Sequence, residues 1–227
     1  VIADVCSDTL LIDPDDIRKK ITPRTRAIIA VDYAGQPADW DALRAIADEH
    51  GLSLVADGCH ALGATDRGRP VGTLADMTTF SFHPVKHITT CEGGMIVTDN
   101  SEWAESMKRF RNHGMTTDGR QREEGKGWQY DVPGPGYNYR LSDLQCALGS
   151  SQLKRLPGWL EHRRGAAARY ARLLDDVSGI DMLHVRSDVE HAWHLLVVVV
   201  DESRHGTGRD EMFRELRKLG IGANVHY

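Results

Sequence analysis

Several features that would place a protein in a specialised class are missing from these 227 residues. The net charge is -5, so there is no overall basic field to favour nucleic acid. The longest apolar run, residues 195–200, is far too short to span a membrane. Internal repeats and low-complexity segments are also missing. With 41% hydrophobic and 27% charged residues, the composition is that of a soluble globular protein with a sizeable core, and we expect neither a nucleic-acid partner nor a membrane partner.

Cysteine is scarce. The four cysteines are Cys6, Cys59, Cys91 and Cys146. They show neither CxxC spacing nor the density of a disulfide framework. In a chain of this length, that pattern favours free thiols in a reducing compartment, and we therefore expect a cytoplasmic protein.

The spacings typical of metal sites are also missing. Eleven histidines are present, but the sequence contains no HExxH motif and no paired Cys/His ligands. His184, His191 and His194 could approach one another, yet ordinary strand positions explain them better. We predict no metal site.

Apolar spacing predicts strands that alternate with helices over the first part of the chain. The predicted strands span residues 1–5, 26–31, 52–56 and 95–98, and the predicted helices span 13–20, 39–50, 101–111 and 142–156. Asp39 and Ser101 are predicted N-caps, and Gly51 is a predicted helix end. Further along the chain, strands are predicted at 191–201 and 221–227, with a helix at 210–219. This order indicates an α/β fold with a mostly parallel sheet flanked by helices.

A single lysine, Lys86, lies between two predicted strands in a run of apolar, small or hydroxylated residues, TFSFHPVKHITTCEGG at 79–94. Lysine is rarely buried without a partner, because removing water from an ammonium group is costly. A lysine held in such a place is a usable nucleophile toward a carbonyl carbon. The alternative is that Lys86 lies on an exposed loop and has no chemical role.

An acid and a histidine follow a second apolar strand. Asp57 directly follows the apolar run 52–56, and His60 comes three residues after Asp57. The carboxyl ends of parallel strands form the edge where open α/β sheets bind ligands. An aspartate there can pair with a protonated ring nitrogen, as pyridoxal phosphate requires. Asp57, His60, Ser81 and Lys86 are together consistent with that cofactor.

Four motifs in order carry a resemblance to a known family. They are ADGCHALGA at 56–64, FSFHPVK at 80–86, TTCEGG at 89–94 and YNYRLSD at 137–143. With them, the chain resembles the DegT/DnrJ/EryC1/StrS sugar aminotransferases along its whole length. The resemblance implies fold-type I architecture, as in aspartate aminotransferase, with pyridoxal 5'-phosphate as cofactor. Within the family, the motifs look most like the branch that acts on UDP-4-keto-6-deoxy-N-acetylhexosamines in the pseudaminic acid pathway.

The resemblance implies specific roles for the motif residues. Lys86 would form the Schiff base and then shuttle protons, and Asp57 would hold the proton on the pyridinium nitrogen. His60 would lie near the 3-oxygen of the ring, and Ser81 would donate to the cofactor phosphate. Asn138 would reach across a dimer interface to the phosphate of the neighbouring subunit. The resemblance also suggests that His83, His226 and Tyr227 contact the substrate.

The implied reaction transfers an amino group, with L-glutamate as the expected donor, to a nucleotide-linked 4-keto-6-deoxy sugar. The pathway would be surface polysaccharide or glycan synthesis, and the active unit would be a homodimer with shared sites. Two alternatives stay open. One is a noncatalytic protein with a regulatory or structural role, and the other is a fold-type I enzyme that acts on amino acids. The presence of Lys86 and Asp57 argues against the first, and the FSFHPVK and YNYRLSD motifs argue against the second.

Compared with the family, the chain looks like a fragment that lacks both ends. Residues 1–157 would be part of the cofactor-binding domain, and residues 158–227 would comprise a connecting helix and the start of a smaller α+β C-terminal domain. The Gly-Ser/Thr turn that binds phosphate in the family would lie upstream of Val1. Cys91 stands where the family more often has glycine, and Gly58 stands where it more often has alanine. Both changes are small, so we expect them to be tolerated.

Overall fold

A computed structural model describes residues 1–117, 124–125, 128 and 130–226 of the chain. In chain order, helices α1 to α7 and strands β1 to β9 have the following bounds. The helices are α1 Pro14–Lys20, α2 Trp40–His50, α3 Ser101–Phe110, α4 Asp143–Leu153, α5 Leu156–Leu174, α6 Glu202–His205 and α7 Arg209–Lys218. The strands are β1 Ala27–Val31, β2 Ser53–Asp57, β3 Thr65–Asp66, β4 Arg69–Pro70, β5 Met77–Ser81, β6 Gly94–Val97, β7 Ile180–Met182, β8 Val189–Glu190 and β9 Val198–Val200. A short 3-10 helix, Tyr33–Gly35, follows β1.

The main sheet has the strand order β1-β2-β5-β6. The first three strands are parallel, and β6 is antiparallel to β5. The register pairs Val31 with Asp57 and Asp57 with Thr79, so the carboxyl ends of the three parallel strands lie side by side. The predicted α/β class with a mostly parallel sheet agrees with this arrangement.

One face of the sheet is covered by α2. Its Trp40, Leu43 and Ile46 are almost completely buried, at helical spacing, against alternate residues of β1 and β2. Burying each such side chain stabilises the fold by about 1.5–3 kcal/mol. The opposite face of β1 is exposed, with Ile29 at 65% and Val31 at 42%. This open apolar face becomes one wall of the cleft described below.

Most of the predicted helix starts are confirmed by the capping contacts. Asp39 accepts a hydrogen bond from the backbone N–H of Ala42, and Gly51 ends α2 in the left-handed conformation. Ser142 forms a capping box with Gln145 at the start of α4. The predicted cap of α3 is wrong by one residue, because Asn100 and not Ser101 accepts from the backbone N–H of Trp103.

Three predicted strands differ from the structure. Residues 1–5 contribute an isolated bridge between Val5 and Ile12 instead of a strand. Within the predicted strand 191–201, residues 198–200 form β9, which pairs with β7. The backbone N–H groups of Ala192 and Leu195 instead donate to the turn after β1. The described part of 221–227 forms no strand.

The C-terminal part of the chain packs back onto the first part. Strand β8 pairs with β3, and buried Asp66 is bound by Arg186 and Arg69. The division into residues 1–157 and 158–227 stays a prediction. Across the described residues, no helix is both long enough and apolar enough to cross a membrane.

Candidate active site

The site is built where the parallel strands end. Asp57 is the last residue of β2, Ser81 is the last residue of β5, and Tyr33 follows β1 by two residues. Because these strands run in parallel and in register, their ends bring the three side chains to one edge of the sheet. A carboxylate oxygen of Asp57 also accepts the backbone N–H of Cys59 at 3.0 Å, which holds the turn that carries His60.

Lys86 is presented by a tightly held loop between β5 and β6. The backbone N–H of Phe82 donates to the carbonyl of Gly93 at 2.8 Å, and Thr90 donates back to Phe82 at 3.0 Å. Within the loop, the backbone N–H of Lys86 donates to the carbonyl of His83 at 3.0 Å. The next two residues, His87 and Ile88, are buried and anchor the loop. Lys86 itself is half-buried, so the alternative of a freely exposed loop lysine does not fit the structure.

Lys86 shares one cleft with three other predicted cofactor ligands, Asp57, His60 and Ser81. The cleft has a volume of about 1480 Å³. The polar groups that line its active end are Tyr33, Asp57, Cys59, His60, Ser81, Lys86 and His226. Its other walls include the exposed apolar face of β1. A carboxylate, an amine, a hydroxyl and imidazoles thus converge in an otherwise largely apolar space.

His60 is neutral at physiological pH in this setting. The pKa of His60 is lowered to about 4, chiefly by burial and also by the nearby charge of Lys86, while Asp57 acts in the opposite direction. The Nδ1 atom of His60 is buried and has no hydrogen-bond partner in the described part of the chain. A neutral imidazole can offer one donor and one acceptor to a bound molecule.

The thiol of Cys59 sits beside these groups but is not a nucleophile. The pKa of Cys59 is raised to about 11, chiefly by burial and also by a hydrogen bond with Asp57. The Sγ atom lies 3.9 Å from the carbonyl oxygen of Thr79. Because thiolate is the reactive form, this thiol stays protonated and inert near neutral pH. All four cysteines are free.

These residues fit pyridoxal phosphate. The cofactor needs an acid for its ring nitrogen, an amine for its aldehyde and donors for its phosphate. Asp57, Lys86 and Ser81 supply these three chemical types in one cleft. Beside them, the Nδ1 atom of His60 has no hydrogen-bond partner among the described residues.

Two predicted residues, His83 and Asn138, lie outside the cleft. His83 is exposed, does not line the cleft and accepts the backbone N–H of Val85 at 3.4 Å. Asn138 is exposed and also does not line the cleft of its own chain; its side-chain oxygen accepts from Arg140 at 2.9 Å. Tyr227 lies outside the described residues. Its neighbour His226 does reach the cleft, where its Nδ1 is 3.0 Å from the hydroxyl of Tyr33.

Sequence reasoning missed Tyr33, His87 and His194. Tyr33 could have been found by the strand-end rule that found Asp57, because it lies two residues after the end of β1. His194 was assigned to a strand, and no local signal shows that its ring lies 4.5 Å from that of His60. Among the described residues, no group of three or more His, Cys, Asp or Glu side chains is placed to hold a metal ion.

A sequence model of the DegT/DnrJ/EryC1/StrS aminotransferase family matches residues 1–227. The spore coat polysaccharide biosynthesis protein SpsC of Bacillus subtilis (strain 168) is 40% identical over 229 residues, which cover 100% of this chain and 59% of SpsC.

Solved structures of aminotransferases also match this chain. Helicobacter pylori PseC, an aminotransferase involved in the biosynthesis of pseudoaminic acid, superposes with a TM-score of 0.92 at 36% identity, covering 100% of this chain and 59% of PseC. Spr1654 of Streptococcus pneumoniae, a proposed sugar aminotransferase solved in a PMP-form, superposes with a TM-score of 0.90 at 33% identity, covering 100% of this chain and 62% of Spr1654. A PLP-form of Spr1654 also matches, with a TM-score of 0.89. The chain therefore spans about three fifths of the length of these relatives.

Proposed function

Because the chain belongs to the DegT/DnrJ/EryC1/StrS aminotransferase family, we propose that it carries the lysine and the ring-nitrogen acid of a pyridoxal-phosphate-dependent sugar aminotransferase. The family is pyridoxal-phosphate-dependent and has the fold-type I architecture. The observation that carries the proposal is that Lys86, Asp57, Ser81 and His60 line one cleft at the carboxyl ends of parallel strands.

Each residue has a defined task in this proposal. Lys86 Nζ holds the cofactor aldehyde and later moves a proton at the substrate carbon that receives nitrogen. Asp57 stabilises the proton on the ring nitrogen, and Ser81 donates to the phosphate. When bound, pyridoxal phosphate supplies the electron sink for the reaction. His60, which is neutral near pH 7 mainly because it is buried, would lie near the 3-oxygen of the ring when the cofactor is bound.

The proposed substrates are a nucleotide-linked 4-keto-6-deoxy sugar as acceptor and glutamate as donor. Support comes from the relatives, since SpsC is named for polysaccharide biosynthesis and PseC for pseudoaminic acid biosynthesis. His226 in the cleft and the neighbouring Tyr227 are the proposed sugar-side contacts, while His83 is a weaker one because its side chain is exposed. We place the protein in the cytoplasm, in keeping with its four free cysteines.

The proposed active unit is a homodimer. Asn138 is exposed and lies outside the cleft of its own chain, which leaves it available to a second subunit. Around it, Phe110, Tyr137 and Tyr139 are about half exposed or more, and the two tyrosine rings stack at 4.9 Å. Exposed aromatic clusters of this kind are enriched at protein interfaces.

A cofactor-binding experiment on the full-length protein tests the proposal. Pyridoxal phosphate should produce a visible absorbance band that borohydride fixes to the protein, and glutamate should bleach it. Lys86→Ala should lose the fixed band and about 10³-fold of the transamination rate. Lys20→Ala is the matched control, because Lys20 also lines the cleft but is paired with Asp16. A full-length protein without a reducible band, or a Lys86→Ala variant that keeps it, would overturn the proposal.

A substrate comparison separates the remaining alternatives. Nucleotide-linked 4-keto sugars should regenerate the original band after glutamate treatment, whereas 2-oxo acids without a sugar should do so at least about 10-fold more slowly. Preference for simple 2-oxo acids would instead indicate an enzyme acting on amino acids. Absence of turnover with every acceptor would favour the noncatalytic alternative.

A further inference from the structure

Two side chains that lie 193 positions apart in the sequence meet at the cleft. The hydroxyl oxygen of Tyr33 lies 3.0 Å from Nδ1 of His226, which is a hydrogen-bond distance. Their ring centroids are 5.4 Å apart, and both residues line the cleft. The ring of His60 lies 6.1 Å from that of Tyr33 and 5.9 Å from that of His226. The pair therefore lies beside the proposed cofactor-binding groups.

Tyr33 is carried by a turn that is fixed by a distant loop. The turn is the 3-10 helix Tyr33–Gly35, which directly follows the sheet edge. Residues 191–195, which we call the His194 loop, lie against it. The backbone N–H groups of Ala192 and Leu195 donate to carbonyls of the turn at 2.9 Å and 3.1 Å. Because the turn is held from outside as well as by its own hydrogen bonds, the Tyr33 side chain starts from a defined place.

The hydroxyl group of Tyr33 remains protonated near pH 7. Tyr33 is half-buried, and burial raises the pKa of its phenol above the ordinary value of 10.0. A protonated phenol can donate one hydrogen bond and can also accept, whereas a ring nitrogen of histidine either donates or accepts. Tyr33 can therefore pair with Nδ1 of His226 whichever of the two atoms supplies the proton.

His226 belongs to a segment whose backbone is not part of a helix or a strand. Residues 221–226, all of which the structure describes, follow α7 in irregular conformation. Such a segment has few backbone hydrogen bonds to fix it, so side-chain contacts determine where its residues lie. His226 is half-buried although Asn224 and Val225 before it are exposed. Its ring thus turns inward to the cleft from a mainly exposed stretch.

We propose that Tyr33 is a positioning residue that holds the ring of His226 at the cleft through the hydroxyl–Nδ1 hydrogen bond. The bond joins the end of β1 to the last described part of the chain. Since His226 is the proposed sugar-side contact, loss of the hydroxyl should weaken binding of the sugar nucleotide and leave cofactor attachment intact. That consequence rests on the proposed function, whereas the contact itself does not.

Histidine-selective ¹⁵N NMR on the full-length protein tests the contact without reference to activity. The His226 signals are assigned by their loss in His226→Phe. Tyr33→Phe keeps the ring and removes the hydroxyl, so it should move the Nδ1 shift of His226. Tyr170→Phe is the matched control, because Tyr170 lies in α5, is about half exposed and does not line the cleft. It should leave the His226 shift unchanged, and the same result for Tyr33→Phe would overturn the proposal.

Steady-state and half-reaction kinetics test the consequence for the sugar. With a UDP-4-keto-6-deoxy-N-acetylhexosamine as acceptor, Tyr33→Phe should raise KM about 5-fold at a nearly unchanged kcat, as expected for one lost hydrogen bond between neutral groups. The borohydride-fixed band on Lys86 and the rate at which glutamate bleaches it should stay within about 2-fold of wild type. A general structural defect would instead slow both half-reactions, and that outcome would count against a positioning role.

A double-mutant cycle shows whether Tyr33 acts through His226. His226→Phe keeps a ring but offers no nitrogen to the hydroxyl. In that background, Tyr33→Phe should change the KM for the UDP-sugar by less than about 2-fold, because its partner is already lost. Effects of the two substitutions that simply multiply would overturn the positioning role and would indicate that Tyr33 contacts the sugar independently.

The role of Tyr33 and the proposed function can fail separately. A wild type without a reducible band on Lys86, in which the His226 shift still depends on Tyr33, would overturn the proposed function and leave the contact standing. A normal band together with a His226 shift that does not respond to Tyr33→Phe would overturn the role of Tyr33 alone.

Discussion

Single residues in this fold are constrained by backbone conformation as much as by chemistry. Cys91, in the loop between β5 and β6 that also carries Lys86, has a φ of +68°, in the left-handed region that glycine adopts without penalty. Its side chain is exposed, so little packing holds it there. The glycine that the resemblance leads us to expect at this position would adopt the conformation without strain.

Cys91→Gly should therefore stabilise the protein by about 0.5–1 kcal/mol, because the relief of backbone strain exceeds the added freedom of the unfolded chain. The measurement is urea unfolding of the full-length protein. Cys146→Gly is the matched control, since Cys146 is also exposed but lies inside α4, and it should destabilise by about 0.5–1 kcal/mol. The same sign for both variants would contradict this account.

Gly58 presents the opposite case. A Cβ at this position would lie 2.9 Å from Thr78 Cγ2 and 3.1 Å from Phe80 Cε1, and both neighbours are buried. Gly58→Ala should destabilise the protein by about 1–3 kcal/mol through overpacking. Thermal unfolding of the full-length protein measures the change. In the same assay, Gly165→Ala, in α5 with nothing within 4 Å of the added Cβ, should be neutral or stabilising. Equal stability of Gly58→Ala and wild type would contradict this prediction, because it would mean that Thr78 and Phe80 move aside at no cost in free energy.

At the scale of elements, the turn between β1 and α2 depends on a buried acid. Asp32 Oδ1 accepts from the backbone N–H of Ala38 at 2.8 Å and from Trp40 Nε1 at 2.9 Å. Oδ2 is buried without a partner in the described part of the chain. Burial raises the pKa of Asp32 to about 7, while these two hydrogen bonds act against that rise.

This raised pKa gives a pH dependence of known sign. The folded state binds the Asp32 proton more tightly than the unfolded state, so its contribution is full below the ordinary pKa of 3.8 and is lost as pH rises through 7. The difference between a pKa of 3.8 and a pKa of about 7 corresponds to at most about 4 kcal/mol of folding free energy. Asp32→Asn keeps the acceptor and cannot ionise.

The stability of Asp32→Asn relative to wild type should therefore increase by about 2–4 kcal/mol between pH 5 and pH 8. Denaturant unfolding of both proteins across this range measures the difference, and other titrating groups cancel in it. A stability difference that does not change with pH would mean that Asp32 is ionised in the fold throughout.

The elements themselves were largely predictable. Helix α2 was predicted from Asp39, the apolar spacing of Leu43 and Ile46, and Gly51, all of which are local signals that the structure confirms. The predicted strand at 191–201 was mostly wrong for a physical reason. β-branched residues favour extended structure, but a strand also needs a partner, and residues 192–195 find theirs in the turn at Ala34 and Gly35.

At the scale of the whole molecule, an ionic network joins distant parts of the chain. Asp66, whose side chain is completely buried, is paired with Arg186, which also donates to the carbonyl of Ala38 at 3.1 Å and to Asp188 at 3.1 Å. This network lies beside the pairing of β3 with β8. It therefore holds the segment that leads into the His194 loop.

Arg186→Ala should destabilise the protein by about 3–5 kcal/mol, because it leaves the buried Asp66 carboxylate without its main partner. The matched control is Arg204→Ala. Arg204 pairs with Asp181 at 2.7 Å, but both side chains are about half exposed, at 51% and 53%, so its loss should change stability by less than about 1 kcal/mol. Equal urea midpoints for the two variants would contradict a structural role for the buried pair.

The sequence alone was sufficient to predict that Lys86 and Asp57 share one cleft. Lys86 between two strands and Asp57 at a strand end are local patterns, and parallel strands necessarily bring their ends to one edge of a sheet. The tertiary structure alone decided which distant residues join them. His226 meets Tyr33 across 193 positions, and His194 meets His60 through a loop held by Gly35 and Arg163. Such contacts depend on long-range hydrogen bonds and on burial, and neither produces a repeating pattern of residues in the sequence.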